Sequence, residues 1–313
     1  MSSGSSTLHA SNWSNLQGKT ALVTGAGTGV GLIIAKGFAV HGAKVYITGR
    51  REDVLKSAVE KHPDLNLVAL PMDVTSKESI ADAVKVVEAA DGKLDILVNK
   101  QVTRISITTC ANMFDSAGHS GPLSPALADK SVSAAGQLGP TLFNQNTIAE
   151  WSNVFVLNSA APFFVTTAFL SLLEKGARSR KQSEGEPSSS VINISSASGT
   201  LRQSLTLVPY GSTKAALDHL TNLLATEFAL HDIPVRVNGI APGPFPSEIG
   251  GSSETLTEML QKPFPGGMNP SPVRRHGREE ELVSAAVYLA SAGGTFTNGV
   301  TIRVDGGFAL LNL

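Results

Sequence analysis

The sequence predicts a single α/β domain in which helices cover both faces of a parallel sheet of seven strands, the doubly wound arrangement. Short apolar segments alternate with amphipathic helical segments from Lys19 onward, as expected for parallel strands joined by helical crossovers. A glycine-rich turn follows the first apolar segment. The chain has 313 residues, of which 42% are hydrophobic, enough for one large domain of this class.

The first half of the chain alternates regularly. Strands are predicted where four or five apolar or β-branched residues run together, because parallel strands are buried on both faces. The predicted strands are Thr20–Thr24, Lys44–Thr48, Asn66–Leu70 and Leu94–Val98, and the helices are Gly29–Val40, Glu52–Lys61 and Lys77–Ala90.

The second half is less regular. Residues 100–146 show no clean period, and residues 176–190 and 242–274 are predicted surface loops, the latter covering a substrate. Outside these segments, helices are predicted at Ile148–Glu174, Tyr210–Leu230 and Glu279–Ser291. Strands are predicted at Val191–Ile194, Val235–Ile240 and Val300–Val304. Residues 1–18 are Ser- and Asn-rich and are predicted to be a disordered tail, so that the domain spans residues 19–313.

Composition excludes several classes of protein. The net charge of −1 argues against nucleic acid as a partner, which calls for a basic surface. The single cysteine, Cys110, excludes an internal disulfide, and the seven scattered histidines predict no metal site. Apolar runs are too short for a membrane span, and the N-terminus has no signal-peptide core. We therefore expect a soluble cytoplasmic protein with no membrane partner.

The glycine-rich turn Thr24-Gly-Ala-Gly-Thr-Gly-Val-Gly31 lies between a strand and a helix. Glycines let the main chain approach phosphate groups, and the helix N-terminus presents N–H groups and positive dipole to an anion. The context predicts a dinucleotide pyrophosphate site. The alternative is a tight turn with no ligand. The predicted binding residues are Gly25, Thr28, Gly29, Val30 and Gly31.

The end of the second strand predicts which dinucleotide binds. NAD-binding versions of this fold place an acid there to hold the ribose 2′-hydroxyl, but here Gly49 is followed by Arg50 and Arg51. An arginine pairs with a 2′-phosphate, so NADP(H) is predicted, held by Arg50. The alternative, two solvated arginines, places cations at a helix start, which the helix dipole disfavours.

Tyr210 and Lys214 stand four residues apart on a predicted helix, so they share one face. A nearby ammonium lowers the pKa of a phenol, which can then exchange a proton with a substrate. A serine cluster at Ser195-Ser196 follows a predicted strand, and a hydroxyl there could bind a carbonyl oxygen. The alternatives are an exposed helical pair and ordinary turn serines.

Together these motifs resemble the short-chain dehydrogenase/reductase family over about residues 17–309. The motifs that carry the resemblance are TGAGTGVG, Val98-Asn99, Asn158, Ser196, YGSTK, Pro242-Gly243 and Val304-Asp-Gly-Gly307. Residues 240–248 are similar to fungal members and to reductases related to 3-oxoacyl-acyl-carrier-protein reductases.

The resemblance implies a Rossmann-type oxidoreductase, a ketoreductase that transfers hydride between NADP(H) and a carbonyl or secondary alcohol. Ketone reduction is favoured because cellular NADP is kept largely reduced. The family's oligomers pair the helices that begin near Ile148 and Tyr210, so a homotetramer or homodimer is expected.

The family's catalytic roles map onto four residues. Tyr210 would be the acid/base, and Lys214 would lower its pKa and bind the nicotinamide ribose. Ser196, three residues before Gly199, would polarise the substrate oxygen. Asn158 would hold a water that links Lys214 to solvent; in isolation it could equally be a helix-face asparagine.

The family's other cofactor contacts map onto two further pairs. Asp73 would accept from the adenine amino group, and Val74 would pack on the ring. Pro242 and Gly243 would line the nicotinamide. A helix-start aspartate and a bare turn are the respective alternatives.

The chain departs from the family after the fourth strand. Asn-Asn-Ala-Gly is expected there, but Asn99-Lys100-Gln101-Val102 stands instead. Joining Lys100 to Ala117-Gly118 gives Asn-Lys-Ala-Gly, so residues 101–116 are interpreted as an insertion, with Asn99 and Gly118 beside the cofactor. A retained intron and a genuine surface loop are both open as its origin.

Two functions therefore follow from the sequence. One is an NADP(H)-dependent reductase of a small or medium apolar carbonyl compound. The other is a catalytically impaired NADP(H)-binding or scaffold protein, because the motif after Asn99 is interrupted. The apolar substrate is inferred from residues expected to shape the pocket: Phe245, Ile249, Met259, Leu260, Phe264 and Met268.

Overall fold

The fold is a parallel sheet of seven strands in the order β3-β2-β1-β4-β5-β6-β7, which confirms the predicted fold class. The computed structural model describes residues 9–100, 124–127, 135–179, 188–204, 206–246, 253–262 and 269–312. The strands are β1 (Thr20–Val23), β2 (Lys44–Gly49), β3 (Leu67–Pro71), β4 (Ile96–Asn99), β5 (Ser189–Ile194), β6 (Val235–Pro242) and β7 (Thr301–Val304).

Helices cover both faces of the sheet. One face carries α2, α3 and α10, and the other carries α4, α7 and α8. The helices are α1 (Ala10–Trp13), α2 (Gly29–Val40), α3 (Glu52–Glu60), α4 (Lys77–Asp91), α5 (Ala135–Gln145), α6 (Ile148–Phe155), α7 (Ala161–Arg178), α8 (Val208–Leu230), α9 (Ser253–Met259) and α10 (Glu279–Ala290).

The strands contribute side chains to two hydrophobic cores, one on each face of the sheet. In β1, Ala21 and Val23 belong to the core under α2 and α10, whereas Leu22 belongs to the core under α4, α7 and α8. Successive side chains of a strand point to opposite faces, so a continuous apolar run is required where both faces are covered. This requirement explains why the strands could be recognised in the sequence.

The predicted disordered tail is shorter than expected. Leu16 is fully buried, its N–H donates to the His41 carbonyl at 2.9 Å, and α1 precedes it. A Cβ added at Gly293 would come within 2.8 Å of the Trp13 ring, so α1 packs closely on that turn. The prediction was wrong for residues 9–18 because isolated apolar residues anchor a polar segment; residues 1–8 lie outside the described ranges.

The predicted helix Ile148–Glu174 is interrupted by a π-helical turn, Val156–Ala160, and α7 ends only at Arg178. Its start is fixed by a capping box, in which Thr147 and Glu150 each accept a hydrogen bond from the other's main-chain N–H. The π turn carries Asn158. Such turns add one residue to a helix and often occur at functional sites.

The segment Ile148–Arg178 is long and apolar enough to cross a membrane by length and composition, contrary to the sequence expectation. Its packing identifies it as a core helix. Val165, Phe169, Leu172 and Leu173 are buried and belong to the core on one face of the sheet.

Two helices lie in segments predicted as irregular, namely α5 within residues 100–146 and α9 within residues 242–274. Residues 101–116, which the sequence indicates are an insertion, lie outside the described residues.

Candidate active site

The predicted site residues gather at the carboxyl edge of the sheet. Thr24 follows β1, Lys100 follows β4 and Ser196 follows β5, while Gly49 and Pro242 end their strands. The strand order reverses between β1 and β4. Crevices at such a reversal are where open α/β sheets bind nucleotides.

The turn after β1 is built to admit a phosphate group. Gly25 and Gly29 have φ of +58° and +55°, and a Cβ on Gly31 would collide with the Gly25 carbonyl oxygen. Thr28 caps α2 without a side-chain hydrogen bond, which leaves the first N–H groups of the helix for an anion. Val30 packs against the core below. These residues fit a dinucleotide pyrophosphate.

Thr24 ties this turn to the end of β4. Its N–H donates to the Val98 carbonyl at 2.9 Å, and its hydroxyl oxygen accepts from the Lys100 N–H at 2.9 Å. The position of Lys100 is therefore set by the main chain, although the motif around it departs from the family.

The end of β2 carries the predicted adenosine contacts. Arg50 is exposed, and Asp73 accepts two hydrogen bonds from Thr75, at 2.9 and 2.7 Å. Burial opposes ionisation of Asp73, but the Thr75 hydrogen bonds and the charge of Arg50 outweigh it and lower its pKa. Val74 packs on the second core.

The first turn of α3 removes one of the two reasons for predicting a bound phosphate beside Arg50 and Arg51. Glu52 and Asp53 lie in its first turn, and carboxylates there offset the helix dipole. The arginines therefore do not require an external anion for that reason. The prediction of NADP(H) then depends on two facts: position 49 is a glycine and not an acid, and an arginine follows it.

Tyr210 and Lys214 lie on one face of α8, as predicted. The Lys214 Nζ is 5.6 Å from the Tyr210 ring centroid and donates to the Ile194 carbonyl at 2.9 Å. Lys214 is buried while Tyr210 is half-buried. Burial and, to a lesser extent, the charge of Lys100 together lower the pKa of Lys214 to about 7, although Asp218 opposes the shift.

The two serines have different surroundings. Ser195 is buried, and its hydroxyl donates to the Lys214 carbonyl at 3.2 Å. The half-buried Ser196 accepts from the Ser198 N–H at 3.2 Å, which leaves its own hydroxyl hydrogen for another acceptor. This arrangement favours Ser196 as the residue that polarises a substrate oxygen.

Asn158 connects the π turn to α8. Its amide donates to the Thr213 hydroxyl at 3.1 Å, and that hydroxyl donates to the Tyr210 carbonyl at 2.8 Å. Among the residues that the structure describes, its buried Oδ1 has no hydrogen-bond partner. Because a buried carbonyl oxygen normally has a partner, this atom is a fitting acceptor for the predicted water.

Asn99 is placed differently from the sequence expectation. Its amide donates to Thr166 and to Asn193, both at 2.9 Å, so the side chain supports the packing of α7 on the sheet. Its Oδ1 is buried and has no hydrogen-bond partner among the described residues, and its contact with a cofactor stays a prediction. Gly118 lies outside the described residues.

Gly243 follows β6 and donates its N–H to Val304 at 2.9 Å. A Cβ there would come within 2.8 Å of the Asp305 Cα, so glycine is required by packing whether or not Pro242 and Gly243 line a nicotinamide.

The predicted apolar pocket is described only in part. Phe245 and Leu260 are buried, Ile249, Phe264 and Met268 lie outside the described residues, and the Met259 side chain is not described. A separate apolar cavity of about 590 Å³ lies between α5, α6 and the start of α8. No residue of the predicted catalytic set lines it.

Sequence reasoning missed several residues that hold the site together: Thr24, Thr213 and Asp218. Their partners are distant in the chain or on another element, so no local pattern marks them. The sequence shows that Lys100 departs from the family motif, but it does not show that Lys100 lies close to Lys214.

Comparison with known proteins agrees with this architecture. Residues 19–109 match the short chain dehydrogenase family, and residues 127–309 match a family described as enoyl-(acyl carrier protein) reductase. Short-chain dehydrogenase/reductase VdtF of Byssochlamys spectabilis is 33% identical, covering 96% of both chains. Gluconate 5-dehydrogenase of Gluconobacter oxydans (strain 621H) is 30% identical, covering 95% of this chain and 96% of its own.

Solved structures show the same fold. The Pseudomonas aeruginosa RhlG/NADP complex superposes with a TM-score of 0.73 at 27% identity, covering 95% of this chain and 99% of its own. A gluconate 5-dehydrogenase from Burkholderia cenocepacia J2315, in complex with NADP and tartrate, gives a TM-score of 0.72 at 26% identity, covering 96% of this chain and 99% of that one.

The sheet and its glycine-rich turn define a Rossmann-type fold, and the family matches place the chain in the oxidoreductase class. More particularly, the chain belongs to the short-chain dehydrogenase/reductase family, whose members act on small molecules with NAD(P)(H).

Proposed function

We propose that this protein is an NADP(H)-dependent ketoreductase that acts on a small or medium apolar carbonyl compound. The observation that carries the proposal is the cluster at the carboxyl edge of the sheet. Tyr210 and Lys214 share a face of α8, and Ser196 lies at the end of β5 with its hydroxyl hydrogen available.

The bound nicotinamide would supply the hydride, and the chain's own residues would do the rest. Ser196 donates a hydrogen bond to the substrate oxygen and fixes its position. Tyr210 gives its phenolic proton to that oxygen as negative charge develops there. A protonated Lys214 favours the phenolate that remains.

Asn158 supports this chemistry without touching the substrate. Through Thr213 it holds the main chain at Tyr210. Its unpartnered Oδ1 would accept from a water through which Tyr210 and Lys214 recover a proton.

The preference for NADP(H) over NAD(H) rests on charge at the end of β2. Gly49 supplies no acid to repel a 2′-phosphate, and Arg50 supplies a cation. Two similar solved structures hold NADP, which supports the same choice. We further propose that the protein works in the cytoplasm as a homodimer or homotetramer.

The direct test is a carbonyl screen with NADPH and NADH consumption as the readout, alongside a fluorescence titration of each cofactor. We expect NADPH to be preferred in both assays and at least one apolar ketone to be reduced. Tight NADPH binding without turnover on any ketone would instead support the alternative of a catalytically impaired cofactor-binding protein.

A further inference from the structure

Lys100 occupies an unusual position in the cofactor site. Its main chain is held by two hydrogen bonds with the Thr24 hydroxyl, at 2.9 and 3.2 Å. Its side chain passes over the glycine turn, with Cδ 3.3 Å from where a Cβ of Gly25 would stand. The family motif places an asparagine here, so this chain adds a positive charge beside the turn.

The same lysine faces the catalytic pair. The Lys100 ammonium is close enough to Lys214 to repel its charged form, although β4 and α8 are far apart in the sequence. Lys214 is 2% exposed, so water screens this repulsion poorly.

The other charged groups around Lys214 only partly offset the repulsion. Within the described residues, Asp218 on α8 attracts its ammonium, but Asp218 also interacts with Arg303 on β7 and accepts hydrogen bonds from Ser195 and Thr301. Tyr210 presents its ring to the same ammonium, with the Lys214 Nζ 5.6 Å from the ring centroid.

Two lysines, Lys100 and Lys214, thus flank a site that fits an anionic ligand. Burial and Lys100 together lower the pKa of Lys214 to about 7, so Lys214 is mostly neutral at pH 8 without cofactor. A neutral amine cannot stabilise the phenolate of Tyr210.

We propose that Lys100 makes cofactor binding proton-coupled: the phosphates of the bound cofactor offset the repulsion between Lys100 and Lys214, and Lys214 takes up a proton as the cofactor binds. Above pH 7, Lys214 is then mostly charged only when cofactor is present. This inference rests on the proposed function, because it requires that NADP(H) binds at the turn.

The test is isothermal titration calorimetry of NADP⁺ binding between pH 6 and 9. Each titration is repeated in buffers of different ionisation enthalpy, so that the number of protons taken up is obtained directly and no turnover is needed. For the wild type we expect no uptake at pH 6, most of a proton at pH 8, and a midpoint near the Lys214 pKa of about 7.

In Lys100→Asn and Lys100→Gln the midpoint should move to higher pH by about half a unit or more, since a nearby like charge is removed. The Thr24 hydroxyl is hydrogen-bonded to the main chain of Lys100, and these variants leave both hydrogen bonds possible. Lys100→Arg keeps the charge and should keep the midpoint. Lys85→Asn, on an exposed part of α4, is the control.

An unchanged midpoint in both neutral variants, or no uptake by the wild type at pH 8, would overturn the inference while leaving the proposed function intact. Absence of NADP⁺ binding at every pH would overturn the proposed function and the inference with it.

Discussion

At the residue scale, the proposed preference for NADP(H) rests on two neighbouring positions at the end of β2, Gly49 and Arg50. Arg50 influences Asp73 electrostatically, so its charge lies beside the predicted adenosine contacts. Gly49 has space around it, because a Cβ there would meet only Leu55, at 3.8 Å. A carboxylate can therefore be introduced without disturbing the strand.

Gly49→Asp combined with Arg50→Ala should shift preference from NADPH toward NADH. The carboxylate would accept from a ribose 2′-hydroxyl and repel a 2′-phosphate. Loss of a charge-assisted contact predicts a change of about tenfold or more in the ratio of efficiencies. The measurement is kcat/KM with each cofactor.

Arg178→Ala, at the far end of α7, is the matched control and should leave the ratio unchanged. A wild type that already prefers NADH would show that the charge argument is wrong.

The catalytic residues could be predicted better than their surroundings. Tyr210 and Lys214 are four residues apart, and helical geometry alone places them on one face. The approach of Lys100 to Lys214 joins two elements distant in the sequence. The direction of the Asn99 side chain depends on Thr166 and Asn193, which no local pattern reveals.

At the element scale, the strands were predictable because central parallel strands need apolar residues on both faces. β5 begins two residues earlier than expected, since Ser189 and Ser190 are buried with their hydroxyls donating to Leu173 and Leu289. α5 was missed because Gly136, Gly139 and Pro140 are poor helix formers. The π turn could not be predicted either, because it does not visibly change the spacing of apolar residues in the sequence.

Deletion of residues 101–116 tests the interpretation of that segment as an insertion. The two family matches end at residue 109 and resume at residue 127, so they include residues 101–109 and the insertion stays a prediction. The deletion joins Lys100 to Ala117-Gly118 and should keep or improve both NADPH affinity and turnover, because it restores the spacing of the family motif after Asn99. A variant that loses both, or fails to fold, would show that the segment belongs to the fold.

Glu281 stabilises the start of α10. Its carboxylate accepts from the Arg278 N–H at 2.8 Å and from Arg275 at 2.6 and 2.8 Å. The Arg275 hydrogen bonds and then the Arg278 N–H lower the pKa of Glu281 from 4.5 to about 2.

Glu281→Gln should lower the free energy of unfolding by about 1 kcal/mol at pH 7, the usual contribution of a helix cap. We expect less stabilisation than the lowered pKa of Glu281 alone would imply. The reason is that 38% of the Glu281 side chain is exposed, so solvent screens its interaction with Arg275. A carboxylate with a depressed folded-state pKa stabilises above its unfolded pKa. The difference between the proteins should therefore be complete above pH 4.5 and fade toward about 2.

Urea unfolding of both proteins at several pH values measures this difference. Glu280→Gln is the control, since Glu280 is 70% exposed and 4.0 Å from Arg278. A stability difference that does not change with pH would contradict the assignment.

At the scale of the whole molecule, α7 and α8 present apolar side chains to solvent. Phe163 is 40% exposed and Leu223 is 47% exposed, although the opposite faces of both helices are buried against the sheet. Burial of such apolar side chains in an interface would favour association. We take it as support for the proposed pairing of these helices between copies of the chain.

Phe163→Glu combined with Leu223→Glu should dissociate the oligomer, because burying the new carboxylates would be costly. Sedimentation velocity gives the size, and circular dichroism should show an intact fold. Val86→Glu, at a similarly exposed site on α4, should leave the oligomer unchanged. A wild type that sediments as a monomer at micromolar concentration would refute the proposed pairing.

The most direct measurement of the central claim compares wild type and Tyr210→Phe on the best ketone from the carbonyl screen, with NADPH consumption followed under saturating cofactor. The account predicts that turnover falls about 100-fold or more, the scale of losing a general acid, while NADPH affinity barely changes because the ring remains. Near-normal turnover in Tyr210→Phe would contradict it, since the proton would then come from another group.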